Sequence, residues 1–394
     1  MQRLKKLLSW PRIIYFILPI LIISLWFNNL ASAAVTVTNI ELIGQAILPT
    51  GLTFQKTQVG GLSGITYDQK KDLYYAISDD RSEKAPARFY TLKIDLSKGT
   101  LQKNGVVPVG VTTLLNENGE KFAPGTSDTE GIALTSKETV FISSEGDVSK
   151  LINPFIQEFS LSSGKVITKL PIPDKFLPDK NGKQGIRQNL AFESLTITPD
   201  EKNLFTATEN ALIQDGPAAQ PKISSPCRII QYNLLTNQPE KEYLYQTEPV
   251  SPLFNITGKF ASGLPDLIAL DNQGNFLSLE RTFSGLGFGI SLFEVSLENA
   301  DDIHDINSLL SVDSKKIKPV QKKLLLDLRN LDLLLDNIEG LTLGPQLPDG
   351  QRTLILVSDN NFNKLQRTQI LAFKLKIETP IMRFWRSILR IFNR

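Results

Sequence analysis

Cysteine and histidine are almost absent from the 394 residues: there is one of each, Cys227 and His304. A lone cysteine excludes an intramolecular disulfide and any multi-cysteine zinc site. A lone histidine excludes a histidine-rich transition-metal centre and a phosphatase built on an "RHG" nucleophile motif, which is also missing. Any bound metal is therefore expected to be a hard cation held by oxygen ligands. No G-x-S-x-G elbow is present, so a Ser–His–Asp triad would rest on His304 alone. That residue sits in "ENADDIHDINSLL", which reads as a surface loop or short helix. Net charge of one sign is lacking too: 43 basic residues face 41 acidic ones.

The apolar run "IIYFILPILIISLWF" (13–27) is shorter than the ~20 residues usual for a membrane span. It follows the basic start "MQRLKKLLSWPR" and precedes the small residues "ASA" (31–33), the order of a secretory signal. Residues 1–33 are expected to be a signal peptide cleaved after Ala33, with an uncleaved anchor as the other reading. Export to the periplasm or beyond follows, where calcium is available in the mM range. Four basic residues lie in 1–33 and four arginines follow Pro380, so the body between them carries a net charge of −6. That balance argues against nucleic acid as a partner.

What the chain has in quantity is a repeat. Gly64, Gly131, Ser194, Leu267 and Gly340 occupy equivalent places, with steps of 67, 63, 73 and 73 residues. Each begins a short strand, and a second strand ends in "YYAISDD", "VFISSEGD", "LFTATEN", "FLSLER" or "LILVSDNN". Turn-like segments such as "DQKKD" and "DNQGN" separate the two, and a third and weaker fourth strand follow. Four short strands per repeated unit predict an all-β propeller. The 38 residues from Gly340 to Glu378 and the 28 from Thr36 to Gly64 together make one more unit of 66. Residues 34–378 thus predict five four-stranded blades, the N-terminal strand completing the last. Six blades, one degenerate, is the alternative.

In an antiparallel hairpin the start of one strand lies beside the end of the next. "SDTEGIAL" therefore brings Asp128 and Glu130 beside Glu145, "AFESLTI" brings Glu193 beside Glu209, and "DNIEGLTL" brings Asp336 and Glu339 beside Asp359. With Asp79, Asp80 and Glu280, these acids are expected at one mouth of the central channel. A glycine after the acid lets neighbouring backbones approach closely near the axis. Clustered carboxylates repel and raise one another's pKa, which a divalent cation relieves, and calcium is the expected one. The other reading is that each acid only ends a strand in an Asx-type turn.

The ordered motifs "GGLSGITYD", "YAISDD", "DTEGIAL", "FISSEGD", "NLAFESLTITPD", "TATEN", "RIIQYNL", "LSLER", "DNIEGLTL" and "LVSDNNF" resemble the phytase-like propeller family, also called esterase-like activity of phytase. The resemblance runs from Gly60 to Leu375. It implies the propeller fold and phosphoesterase chemistry carried by Asp and Glu. Two blades depart from the motif: Ser63 replaces the acid in the first, and "GLPDLIAL" lacks the Glu-Gly pair in the fourth. Glu130, Glu193 and Glu339 are the candidate catalytic bases. Asp79, Asp80, Asp128, Glu145, Glu209, Glu280, Asp336, Asp359 and Asn360 are the candidate metal ligands. Arg81, Arg88, Arg228, Arg281 and Asn361 are the candidate phosphate binders, with a salt bridge to Glu280 as the other reading for Arg281. The expected substrate is a small phosphoester and the chain is expected to be monomeric. A lactonase-like hydrolase and a non-catalytic scaffold are the alternatives. Finally, "IMRFWRSILRIFNR" places Trp, Phe and Ile opposite four arginines at helical spacing. It predicts an amphipathic helix (379–394) that lies on an anionic membrane surface or packs on the propeller.

Overall fold

The computed structural model describes residues 35–250, 258–285 and 287–378. The predicted C-terminal helix and the signal segment lie outside the described residues. A compact body spans Val37–Lys376; the terminal segments form a second unit, of which only residues 35–36 and 377–378 are described.

Five four-stranded antiparallel sheets make up the body, together with a two-stranded hairpin, Thr53–Phe54 with Thr57–Gln58. The first four blades run in sequence order from the axis outward. Their innermost strands are Leu62–Asp68, Thr129–Leu134, Thr196–Ile197 and Ala261–Ala269. The fifth starts at Ile338–Gln346 and passes through Arg352–Ser358 and Thr368–Glu378. Its outermost strand is Thr36–Leu48, so the N-terminal strand completes the last blade as the repeat length predicts. Pairing the two ends of the body in one sheet leaves no blade with a missing edge.

Local sequence explains both the strands and their turns. Second strands such as Leu73–Ser78 and Thr139–Ser144 are buried on both faces, which fits their unbroken β-branched and aromatic runs. Outer strands such as Val106–Thr113 are only partly buried and carry polar residues. The turn after each inner strand ends in a left-handed residue: Asp72, Glu138, Glu201, Gly274 and Gly350. In the first blade the Asp68 carboxylate accepts the amides of Lys70 and Lys71, the Asx geometry that a "DQKK" segment favours. Hydrophobic clusters fill the gaps between adjacent blades. Tyr74, Tyr90 and Leu92 meet Ile355 and Ile370 between blades five and one, and Phe205 and Tyr245 meet Phe276 and Phe293 between three and four.

Candidate functional site: an acidic channel mouth

One irregularity recurs in every inner strand. In blade one Leu62 pairs with Ser78 and Gly64 with Ile77, so Ser63 is an extra, unpaired residue. The same bulge leaves Glu339 unpaired between Ile338 and Gly340 and falls at Glu130–Gly131 in blade two. In blade three it falls between the pairs Phe192–Thr208 and Thr196–Phe205, around Glu193. In blade four it lies between Gly263 and Asp266. A bulge bends the strand and re-aims the extra side chain, which turns Glu130, Glu193 and Glu339 toward the mouth.

The glycine that follows is required by the neighbouring blade. A Cβ on Gly131 would lie 2.7 Å from the Glu193 carbonyl oxygen, and one on Gly64 would lie 2.5 Å from that of Glu130. A second regularity fixes the acids that end the second strands. The amides of Asp79, Glu145, Glu209 and Asp359 donate to the carbonyls of Gly61, Asp128, Ala191 and Asn337, each two residues before the bulge position. Four blades thus present at least one carboxylate from these two positions, and three of the four, blades two, three and five, present both.

The resulting cavity is about 520 Å³ and is lined by Asp79, Glu130, Glu145, Glu193, Glu339 and Asp359, with Arg281 as its cation. A larger cavity of about 1060 Å³ is lined by the opposite ends of the inner strands, among them Tyr67, Thr135, Thr198 and Thr342. Its carboxylates engage lysine and backbone partners, as Glu138 does with Lys71 and Glu201 with Ser136. The clustered carboxylates belong to the smaller, acidic mouth.

Within it, Asp79, Asp128 and Glu130 bring one oxygen each within 4.8 Å of one another, and so do Glu130, Glu145 and Glu193. Glu130 is common to both groups. No hydrogen bond or ion pair ties the Glu130 or Glu193 carboxylate among the described residues. Burial first, then the neighbouring carboxylates, holds both well above the usual range; for Glu130 the neighbours are led by Asp79, for Glu193 by Glu145. Asp79 is raised by burial and by Asp128, and Asp359 by burial and by Glu339. Glu145 is raised by burial and by Asp128, although its carboxylate accepts the Ala191 amide.

Arg281 holds the other side of the mouth. It donates to Glu209 at 2.8 Å, to Asn337 at 2.7 Å and to Glu339. Glu209 and Glu339 are nonetheless raised, because burial outweighs the guanidinium. The second oxygen of Glu209, Oε2, is buried with no hydrogen-bond partner among the described residues. The donor set of blades one to three is all carboxylate oxygen, and one buried oxygen beside it is orphaned. Both features fit a hard divalent cation.

A family model described as phytase-like, esterase-like activity of phytase, matches residues 57–362. The chain belongs to this phytase-like family. An uncharacterized secreted protein of Arthroderma benhamiae is 24% identical over a match covering 30% of this chain and 26% of that protein. The phytase-like chain thus aligns with about a quarter of that relative's length. Among solved structures, an endo-arabinase from Bacteroides thetaiotaomicron is 11% identical, with 83% of this chain and 96% of that one covered at a TM-score of 0.41. A glucose dehydrogenase-type oxidoreductase from Thermus thermophilus is 12% identical, with 87% and 99% covered at 0.36. Likenesses at this level carry no argument about chemistry.

Several predicted site residues of the phytase-like chain stand elsewhere. Asp80 and Arg88 form a buried pair at 2.5 Å, and Asp80 also caps the amides of Glu83 and Ala85. Arg228 is fully buried and forks onto Asp215 at 2.6 and 2.9 Å while also reaching Glu242. Both arginines are struts inside the fold and cannot clamp a phosphate. Glu280 pairs with Lys322 at 2.5 Å and accepts Tyr245, so the expected bridge to Arg281 does not form. Asp336 accepts the amide of Arg367 at 2.9 Å and its guanidinium at 3.3 Å. Asn360 joins blade five to blade one by accepting the Gly61 amide at 3.0 Å. Arg81 lies near the mouth with its guanidinium committed to Asp128 at 2.8 and 2.7 Å and to Asn189 at 2.6 Å. Asn361 lines the cavity and adopts a left-handed backbone (φ 46). His304 is half exposed on the connection to the outer strand of blade four, beside Asp302 and Asp305.

The cavity is also lined by residues outside the sequence expectation, among them the polar Asn189 and Asn337 and the apolar Phe283, Phe288 and Leu365. Counting back two residues from the bulge puts Asn337 in the place of Asp128, a signal that was available. Asn189 lies in the loop before blade three and carries no such mark.

Proposed function

We propose that this phytase-like propeller is an exported, divalent-cation-dependent hydrolase of phosphoesters, with calcium the expected cation. The observation that carries the reading is Glu130, shared by two carboxylate groups whose oxygens lie within 4.8 Å. Asp79, Asp128, Glu130 and Glu145 would hold the cation. When bound, it offsets the charge of the ring and polarises the phosphoryl oxygens, so that a phosphate is no longer repelled.

The chain's own groups do the rest. Arg281 is fixed between Glu209 and Glu339 and presents a guanidinium to the cavity, which orients one phosphoryl oxygen. No hydrogen bond or ion pair among the described residues ties the Glu193 carboxyl, and its raised pKa suits a group that takes a proton from the attacking water. Water oxygen bonds to phosphorus, the ester P–O bond breaks, and the proton leaves on the alcohol. Glu339, paired with Arg281, has a positioning role that its sequence equivalence to Glu130 and Glu193 concealed.

The secreted relative and the signal-like N-terminus support action outside the cytoplasm, periplasmic or secreted, and calcium is abundant there. Surface contact through 381–394, a monomeric state and the absence of nucleic-acid partners belong to the same proposal. The test is a panel of phosphomonoesters, phosphodiesters and lactones, with calcium and with chelator. Calcium-dependent phosphoester turnover is expected, with Glu193→Gln lowering kcat about 10²–10⁴-fold with no fall in melting temperature. Turnover of lactones alone, or of nothing while calcium still binds, would replace the proposal with the lactonase or scaffold reading.

A further inference from the structure

Blade four breaks the pattern of the other four in a way the carboxylate chemistry leaves unused. Elsewhere the second strand stops at Ser78, Ser144, Ala207 or Ser358 and hands over to an acidic turn. In blade four it runs from Asn275 through Arg281 to Phe283. Registers place Leu264 where the bulge acid stands and Thr282 where the strand-end acid stands. The returning strand starts at Phe288, paired directly with Phe283, and the two rings lie 5.2 Å apart at 45°.

Both rings are only partly buried, and both line the acidic cavity, as do Ala261 and Leu365. Leu365 is 91% exposed. A polar, carboxylate-ringed cavity gains nothing for its cation from an aromatic wall. Such a wall instead offers ring edges and faces to an apolar group held beside the carboxylates.

We propose that the Phe283–Phe288 pair, with Leu365, forms a subsite for the apolar organic group of the substrate, which makes the preferred substrates aryl or similarly apolar monoesters. This rests on the reading of the mouth as a phosphoester site. The subsite lies on the Arg281 side, opposite the cation-holding acids of blades one to three, so the two halves of an amphipathic ester each meet a matching wall.

Calorimetry of two non-hydrolysable probes in calcium, 1-naphthylphosphonate and methylphosphonate, tests it without needing turnover. The wild-type chain is expected to bind the naphthyl probe at least 10-fold more tightly, about 1.4 kcal/mol. In Phe283→Ala and Phe288→Ala that ratio falls to within about twofold, while Phe283→Leu keeps most of it. Val109→Ala, on the exposed outer strand of blade one, keeps all of it. Equal affinity for the two probes in the wild type, or no binding of either, overturns the subsite, as does an unchanged ratio in both alanine variants. Turnover of naphthyl and glyceryl phosphates separates this from the parent reading. A naphthyl preference in binding with no turnover of either leaves the subsite standing and removes the hydrolase. Equal turnover of both with equal probe affinity does the reverse.

Discussion

Replacing Arg281 with methionine removes the guanidinium that Glu209, Asn337 and Glu339 share and leaves a side chain of similar length behind. Arg281 is 13% exposed, and its partners Glu209 and Glu339 are more deeply buried still. Breaking a buried ion pair by deleting one partner costs about 3–5 kcal/mol, because the remaining charge is left uncompensated. The body has about 340 residues, for which ~2.1 cal/mol/K per residue gives an unfolding entropy near 0.7 kcal/mol/K. The expected fall in Tm at pH 8, without added cation, is therefore about 4–7 °C. The pH dependence has a definite sign. Both carboxyls already titrate above their unfolded value, and losing Arg281 raises them further. A group with a raised folded pKa costs nothing below its unfolded pKa of about 4.3 and destabilises increasingly as pH rises toward the folded value. The deficit should therefore be smaller at pH 5 than at pH 8, because the orphaned carboxyls hold their protons to a higher pH than in the unfolded chain. Calorimetric melting of wild type and Arg281→Met at the two pH values is the assay. A loss under about 1 kcal/mol at pH 8, or an equal loss at both, would refute the argument.

Three further outcomes follow from particular contacts. Arg228→Met should cost about 3–5 kcal/mol by taking the guanidinium from Asp215 and leaving Glu242 with Lys175 alone, yet leave calcium affinity unchanged; a change in calcium affinity at equal stability would return Arg228 to the site. Gly131→Ala places a methyl 2.7 Å from the Glu193 carbonyl and should destabilise by about 1–3 kcal/mol or more, whereas Gly287→Ala, with open space around it, should stay within about 0.5 kcal/mol. A chain beginning at Pro49 lacks the strand Thr36–Leu48, and its exposed partner Thr368–Glu378 should make it aggregate; monomeric, cooperative melting of that chain would show that closure by the N-terminal strand is dispensable.

The blade count and closure were legible because a strand-level repeat of about seventy residues is insensitive to single-residue errors. The site was legible only where the register was. Side chains alternate faces along a strand, so an offset of one residue moves a side chain from the mouth to the far side. Asp336 precedes Asn337, the true counterpart of Asp128, by one residue, and Asp80 and Asn360 follow Asp79 and Asp359 by one. Each ends in a structural hydrogen bond rather than in the cavity. Glu280 fails for a different reason: it lies two residues before Thr282, the blade-four equivalent of the strand-end acid, and so sits further along the strand, where it meets Lys322 and Tyr245. The buried roles of Arg88 and Arg228 depend on partners eight and thirteen or fourteen residues away across turns, Asp80 for the first and Asp215 and Glu242 for the second, which strand periodicity does not reveal.

The carboxylates that share Glu130 are expected to bind a divalent cation, and calcium titration by calorimetry measures that binding itself. The groups are protonated above their usual range, so binding must release protons. Affinity should therefore rise from pH 6 to pH 7.5, and the heat should vary with the ionisation enthalpy of the buffer. At a hundredfold excess over Kd the bound cation should stabilise the fold by about 2.7 kcal/mol, or about 4 °C, and Glu130→Gln should weaken binding at least 10-fold. No heat of binding at either pH, or equal calcium affinity in wild type and Glu130→Gln, would contradict the account.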